Sequence, residues 1–84
     1  EEVIRRHPHV VDCAVVGIED VDWGELVAVA VVAKGDSPTL TDLRDFCRRD
    51  LAPAKIPRRV TVVDNLPRNA LGKVLKQQVK RLFL

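Results

Sequence analysis

Apolar positions divide the chain into three β-like runs and three helical stretches. Val3, Ile4 and His7 share one face of a first helix, which must stop before Pro8, since proline disfavours helical geometry in its predecessor. From Val10 to Ile18 the residues Cys13, Ala14, Val15 and Val16 run together without clean alternation, as in a strand covered at least partly on both faces. Leu26 to Ala33 forms a second strand, and the short acidic loop Glu19–Gly24 between the two predicts an antiparallel pair. After the turn cluster Lys34-Gly35-Asp36-Ser37-Pro38, Thr39 is placed to cap a helix, with Asp42 approximating a capping box. Leu40, Leu43, Phe46, Cys47 and Leu51 recur at helical spacing as its buried stripe. Prolines make Ala52–Pro57 an irregular crossing, and Val60-Thr61-Val62-Val63 is a third strand. Val74 or Leu75, with Gln78, Val79, Leu82 and Phe83, marks a short amphipathic helix that exposes Lys76, Lys80 and Arg81. The predicted class is α+β: a small domain with a three-stranded, at least partly antiparallel sheet flanked by helices, in the order α-β-β-α-β-α.

Eighty-four residues make one small domain, near the size at which a single core barely suffices. The chain has no initiator methionine and opens inside a helical pattern, so a piece of a longer protein is expected. Cys13 and Cys47 sit among apolar neighbours, and two such residues read as buried free thiols of a reducing compartment. With neither a signal peptide nor a membrane-length apolar run in the sequence, a cytoplasmic setting is expected. His7, His9 and Cys13 match no usual zinc spacing, and the acidic loop lacks an EF-hand pattern, so no metal site is assigned.

The net charge of +2 hides an asymmetry. Residues 1–54 hold six Lys/Arg against eleven Asp/Glu, whereas residues 55–84 hold eight against one. The C-terminal third is therefore suited to an anionic partner, although a solvated basic helix face has the same composition. Arg48 and Arg49 complement the dipole of the middle helix and are equally able to reach a phosphate.

One stretch concentrates the chemistry: Leu66-Pro67-Arg68-Asn69-Ala70-Leu71-Gly72-Lys73-Val74-Leu75-Lys76. A Pro-containing turn leads into a small, flexible loop, and Gly72 delivers one lysine at the expected start of the last helix. Binding groups concentrate on loops held by rigid elements, though an ordinary solvated lysine fits the same pattern. The stretch is no phosphate-binding P-loop, because Pro67 and Val74 stand where that motif needs glycine and Ser/Thr. The sequence has no Ser/His/Asp set and no paired carboxylate device, and a Schiff-base lysine requires a desolvated pocket. What remains is a charged, mobile lysine offered to something outside this domain, since so small a domain encloses no sizeable cleft.

His7-Pro8, Ala14-Val15-Val16-Gly17, Trp23-Gly24-Glu25, Leu43-Arg44, Leu51-Ala52, Lys55-Ile56-Pro57-Arg58, Val63-Asp64 and Leu66-Pro67-Arg68 with Gly72-Lys73 occur in an ordered set. That set resembles the C-terminal domain of the acyl-adenylate-forming enzymes, which include acyl-CoA synthetases, peptide-synthetase adenylation domains and firefly luciferase. The resemblance covers nearly the whole chain. It implies that residues 1–84 are the mobile C-terminal catalytic domain of such an enzyme, lacking the large N-terminal domain and the hinge, and inactive alone. Lys73 would be the adenylation lysine, bridging the carboxylic acid and the ATP α-phosphate, with Pro67, Arg68 and Gly72 forming the loop that presents it. After adenylation the domain would rotate for thioester formation with CoA, whose phosphates Arg48 and Lys55 are candidates to meet, with Trp23 as a nucleotide-side contact. ATP and CoA are then substrates, and Mg2+ would be bound with ATP through the absent N-terminal domain. Reversible acetylation of Lys73 would make a protein acetyltransferase and a deacetylase partners. Leu71 and Leu75 depart from the Asn-Gly-Lys-Val-Asp usual in peptide synthetases, so the acyl-CoA synthetase branch is favoured. The ending Arg81-Leu82-Phe83-Leu84 lacks a peroxisomal Ser-Lys-Leu address.

Two alternatives stand beside this reading: a peptide-synthetase-type fragment and a basic nucleic-acid-binding module. The second lacks stacking aromatics, since the chain has one Trp, two Phe and no Tyr, and Phe83 falls on an apolar helix face. No nucleic-acid partner is therefore expected.

Overall fold

The computed structural model describes all of residues 1–84. A short helix α1 (Glu2–Arg5) leads into strands β1 (Val10–Asp20) and β2 (Gly24–Ala33), then helix α2 (Leu40–Cys47). A 3₁₀ turn (Pro53–Lys55), strand β3 (Arg59–Val62) and helix α3 (Lys76–Arg81) complete the chain. The sheet order is β1-β2-β3, with β1 antiparallel and β3 parallel to β2. The class and element order are those predicted, and the sheet is mixed because α2 returns the chain to run parallel beside β2.

The two hydrophobic faces of this sheet explain the unbroken apolar runs. Cys13, Val29 and Val31 face Ile4, Leu43, Cys47 and Ile56, whereas Ala14, Val16, Ala28 and Ala30 face Leu66, Val79 and Phe83. Successive strand residues point to opposite faces, so a strand buried on both cannot alternate apolar with polar. Val10 shares the face of Cys13 despite the wrong parity. The register shift between Val10 and Asp12 leaves Val11 unpaired and exposed, and so turns Val10 inward.

The β1–β2 connection is tighter than the predicted Glu19–Gly24 loop, because the ladder extends to Asp20 opposite Gly24. The Asp20 carboxylate accepts from the Asp22 and Trp23 amides at 2.9 and 3.0 Å, so this acidic residue is spent on the turn itself. The histidines likewise serve the backbone: His7 Nδ1 accepts from the His9 amide and His9 Nδ1 lies 3.1 Å from the Lys34 carbonyl. In α2 the predicted capping box is complete, with Thr39 Oγ1 accepting from the Asp42 amide and Asp42 from the Thr39 amide, both at 3.1 Å. The latter bonds hold the Asp42 carboxyl below its usual value. Leu43 and Cys47 are fully buried, while Leu40, Phe46 and Leu51 are partly so. Both cysteines are free and buried, and burial pushes their thiols up. No helix is long and apolar enough to cross a membrane.

Helix α3 departs from expectation. It is confined to Lys76–Arg81, with Val79 and Phe83 buried but Leu82 and Gln78 exposed. The core-facing positions are thus Val79 and Phe83, one helical step apart, and the apolar Leu82 lies off that face.

Candidate functional site

The Pro67–Leu75 segment is a closed hairpin, and this corrects two expectations: Lys73 does not start the last helix, and its loop is not an unstructured flexible one. Leu66 is anchored in the core beside Val79 and Phe83. Immediately after it, Arg68 and Val74 pair in an antiparallel bridge, and the Leu75 amide donates to Pro67 O at 2.8 Å. Inside the hairpin, Asn69 N donates to Lys73 O at 2.9 Å and Gly72 N to Asn69 O at 3.0 Å. The Asn69 side chain then accepts from the amides of both Leu71 and Lys73, at 2.9 and 3.0 Å. An Asx side chain that satisfies amides two and four residues ahead holds a tight reversal without help from a helix. Gly72 adopts φ +83°, which glycine reaches without the Cβ penalty. Nothing lies within 4 Å of where a Cβ would stand there, so backbone geometry and not crowding selects the glycine.

Lys73 itself is exposed, and its ammonium makes no hydrogen bond or ion pair in the structure. The loop therefore fixes the peptide of Lys73 while leaving its three ammonium donors for an external acceptor. Pro67 enters the hairpin, Arg68 opens its bridge and Gly72 makes its turn.

The hairpin rests on the free edge of β1, which carries outward-facing amides and carbonyls that β2 does not satisfy. At Cys13 the amide donates to Asp12 Oδ1 at 2.9 Å and the carbonyl accepts from Arg5 at 3.2 Å, while Arg5 Nε meets the same Asp12 oxygen at 3.3 Å. At Val15 the amide donates to Glu1 at 2.9 Å and the carbonyl accepts from Lys76 Nζ at 2.9 Å, with Glu1 and Lys76 ion-paired. Two charged pairs thus replace a missing strand. Arg68 ties the hairpin to this edge: one nitrogen of its guanidinium pairs with Asp12 Oδ2 and the other donates to Gly72 O at 2.7 Å. Burial pushes the Asp12 carboxyl up, but the Cys13 amide, Arg5 and Arg68 outweigh it and hold the group below its usual value. In the same way burial is outweighed at Glu1 by Lys76 and the Val15 amide.

The other candidate residues are not gathered here. Arg48 is ion-paired on the helix surface with Asp45 at 2.9 Å. Lys55 ends the 3₁₀ turn and borders a groove lined by Glu1, Ile4, Val15, Val27 and Leu51, in which neither Arg48 nor Trp23 takes part. Trp23 is exposed at the β1–β2 turn with the Arg58 guanidinium 3.9 Å from its ring centroid. The basic C-terminal third is partly consumed internally. Arg58 lies over Trp23, Arg59 donates to Phe83 O at 3.0 Å, and Arg68 and Lys76 hold the β1 edge. Sequence reasoning missed Asp12, Asn69 and Glu1. Only Asn69, a turn-former four residues before the lysine, carried a local signal.

Comparison with known proteins places this geometry among a large set of relatives. The family described as "AMP-binding enzyme C-terminal domain" matches residues 1–73, ending on Lys73. A 2-succinylbenzoate–CoA ligase from Geobacillus kaustophilus is 43% identical over 84 residues, covering 99% of this chain and 17% of that protein. A fatty acid–[acyl-carrier-protein] ligase, ScoC, from Streptomyces coeruleorubidus is 40% identical, covering 99% of this chain and 16% of its own length. Among solved structures, a double mutant of o-succinylbenzoate CoA synthetase (MenE) from Bacillus subtilis, bound to a product analogue, superposes with a TM-score of 0.89 at 37% identity, over 96% of this chain and 17% of that one. The chain thus spans about a sixth of the length of the relatives it matches.

Proposed function

Because the chain belongs to the family of AMP-binding enzyme C-terminal domains, we propose that it is the mobile C-terminal domain of an ATP-dependent acyl-CoA synthetase and that Lys73 serves adenylation. Relatives named as CoA ligases support the reaction class. The observation that carries the role of Lys73 is an exposed, unpartnered ammonium on a residue whose backbone N–H and C=O are both bonded to Asn69 within a hairpin of four such bonds. A carboxylate oxygen attacks the ATP α-phosphorus, the bond to the bridging oxygen breaks, and pyrophosphate leaves with its electron pair. Two anionic groups approach in that step, and an ammonium donating to both the carboxylate and an α-phosphate oxygen offsets their repulsion. Lysine suits the task as a compact cation on a flexible stem, and no proton transfer from it is needed.

The same reading has the domain rotate after adenylation, withdrawing Lys73 and presenting another face to CoA. Lys55 is the most available of the suggested CoA contacts, since its ammonium has no partner. Arg48 must first release Asp45, and Trp23 would act together with Arg58. Mg2+ accompanying ATP would be held by the N-terminal domain. Acetylation of Lys73 would remove its charge and silence adenylation, with an acetyltransferase and a deacetylase as partners in a cytoplasmic setting.

The test is a comparison of half-reactions in the full-length protein. Lys73→Ala is expected to abolish pyrophosphate release from ATP with the acid while sparing thioester formation from CoA and supplied acyl-adenylate. Equal loss of both would refute the role. The 84-residue chain alone is expected to release no pyrophosphate.

A further inference from the structure

Arg68 makes a connection that the presentation of a lysine does not by itself require. Its guanidinium spans two acceptors, Asp12 on the edge of β1 and the carbonyl of Gly72, whose peptide bond leads directly into Lys73. Asp12 is in turn fixed by Arg5 Nε and by the Cys13 amide. A continuous chain of hydrogen bonds therefore runs from the sheet edge to the peptide plane that sets the direction of the Lys73 side chain. The hairpin has internal bonds that fix its shape, but those bonds leave its orientation relative to the sheet free. Orientation is set where the hairpin touches something outside itself: Val74 packs against the core that holds Leu66, Val79 and Phe83, while Arg68 and Lys76 make the polar links to the edge of β1. Lys76 lies beyond the hairpin, in α3, and its links to Glu1 and Val15 O fix the exit of the loop. Arg68 alone reaches into the turn.

We infer that Arg68 and Asp12 form a positioning pair that aims Lys73, so that the direction of the lysine is set by the free edge of β1. This rests on the reading of Lys73 as the adenylation lysine. The planar fork of Arg68 is what the geometry uses: two nitrogens on one rigid group meet two acceptors at once, which a lysine at this position cannot reproduce. Removing the fork leaves Lys73 with its charge but frees Gly72 O and breaks the tie to Asp12, loosening both the turn and its direction, and a misplacement of about 1 Å costs on the order of 100-fold in a step that depends on alignment.

The experiment uses the full-length protein with Arg68→Gln, Arg68→Lys, Asp12→Asn and the double variant Asp12→Asn/Arg68→Gln, with Lys73→Ala as reference. The acid is whichever of 2-succinylbenzoate, malonate or a fatty acid supports the fastest pyrophosphate release. Arg68→Gln is expected to lower kcat of adenylation by about 10- to 100-fold, with KM for ATP and the thioester half-reaction within about twofold of wild type. Arg68→Lys recovers little of the loss, and the double variant is no worse than Arg68→Gln alone, because both substitutions cut the same link. Hydrogen exchange over residues 66–76 supplies a readout that needs no substrate: the Leu71 and Lys73 amides are expected to exchange at least about fivefold faster in Arg68→Gln, one hydrogen bond's worth of protection. Additive losses, full rescue by Arg68→Lys, equal loss of both half-reactions or unchanged exchange would each overturn the pairing. If Lys73→Ala itself retained adenylation, the reading of Lys73 would fall instead, and the exchange result would still decide whether Arg68 holds the loop.

Discussion

Replacing Gly72 by alanine isolates the backbone requirement of the lysine hairpin. Gly72 sits at φ +83° with open space where a Cβ would stand, so the substitution introduces conformational strain and no clash. An L-residue held in the left-handed region loses roughly 1–2 kcal/mol. The loop can escape this strain only by breaking the four hydrogen bonds around Asn69, one donated by its amide, one accepted by its carbonyl and two accepted by its side chain. In a solvated loop each contributes about 0.5–1.5 kcal/mol net, so releasing all four costs about 2–6 kcal/mol. Strain is the smaller loss, and the hairpin of Gly72→Ala should keep its shape while being destabilised by about 1–2 kcal/mol. Urea unfolding should show that loss as a lower midpoint at unchanged slope. Exchange of the Leu71 and Lys73 amides, followed by mass spectrometry, should accelerate by roughly 5- to 30-fold, the equivalent of 1–2 kcal/mol. Gly72→Asn is the internal control, because asparagine tolerates the left-handed region and should lose less than alanine despite its larger side chain. Wild-type behaviour of Gly72→Ala, or greater damage from Gly72→Asn, would refute the argument that φ selects the glycine.

Other expectations follow from the same structure. Leu43→Ala removes a fully buried side chain from the core beneath α2 and should lose about 2–5 kcal/mol in chemical denaturation. Thr39→Ala abolishes the capping box and should lose about 1 kcal/mol by the same measurement, with the loss confined to early exchange in α2. The carboxyls of Asp12 and Glu1 are both depressed from their usual 3.8 and 4.5, so their contributions are complete above those unfolded values. Both are lost as pH falls through the lower folded values. Stability measured at about pH 6 should therefore exceed that at about pH 3, and Asp12→Asn should flatten the difference.

The sequence made the β1–β2 pair and α2 legible because their signals are local. Thr39 with Asp42 announces a helix start, and an unbroken apolar run announces a strand covered on both faces. The lysine hairpin was legible as a presenting loop but not as a closed one. Asp12 and Arg68 are 56 positions apart, and nothing in the residues around either names the other. Glu1 and Lys76, 75 apart, pose the same difficulty. A small residue before a basic amphipathic stretch marks Gly72 as the entry to the last helix. In fact Leu75 precedes α3 without any side-chain cap, leaving no sequence signal for where the helix begins. The cationic third was visible as composition, yet composition does not reveal that Arg59, Arg68 and Lys76 are spent on carbonyls and carboxylates of the domain itself.

The most direct test of the account is a single-turnover measurement on the full-length protein, quantifying acyl-AMP formed from α-labelled ATP and the acid. Wild type and Lys73→Ala would be compared, alongside the rate at which each converts supplied acyl-adenylate and CoA to thioester. Acyl-AMP formation is expected to fall by at least about 100-fold, as for loss of a donor to the developing charge, while thioester formation stays within about twofold of wild type. Undiminished acyl-AMP formation by Lys73→Ala would contradict the adenylation role.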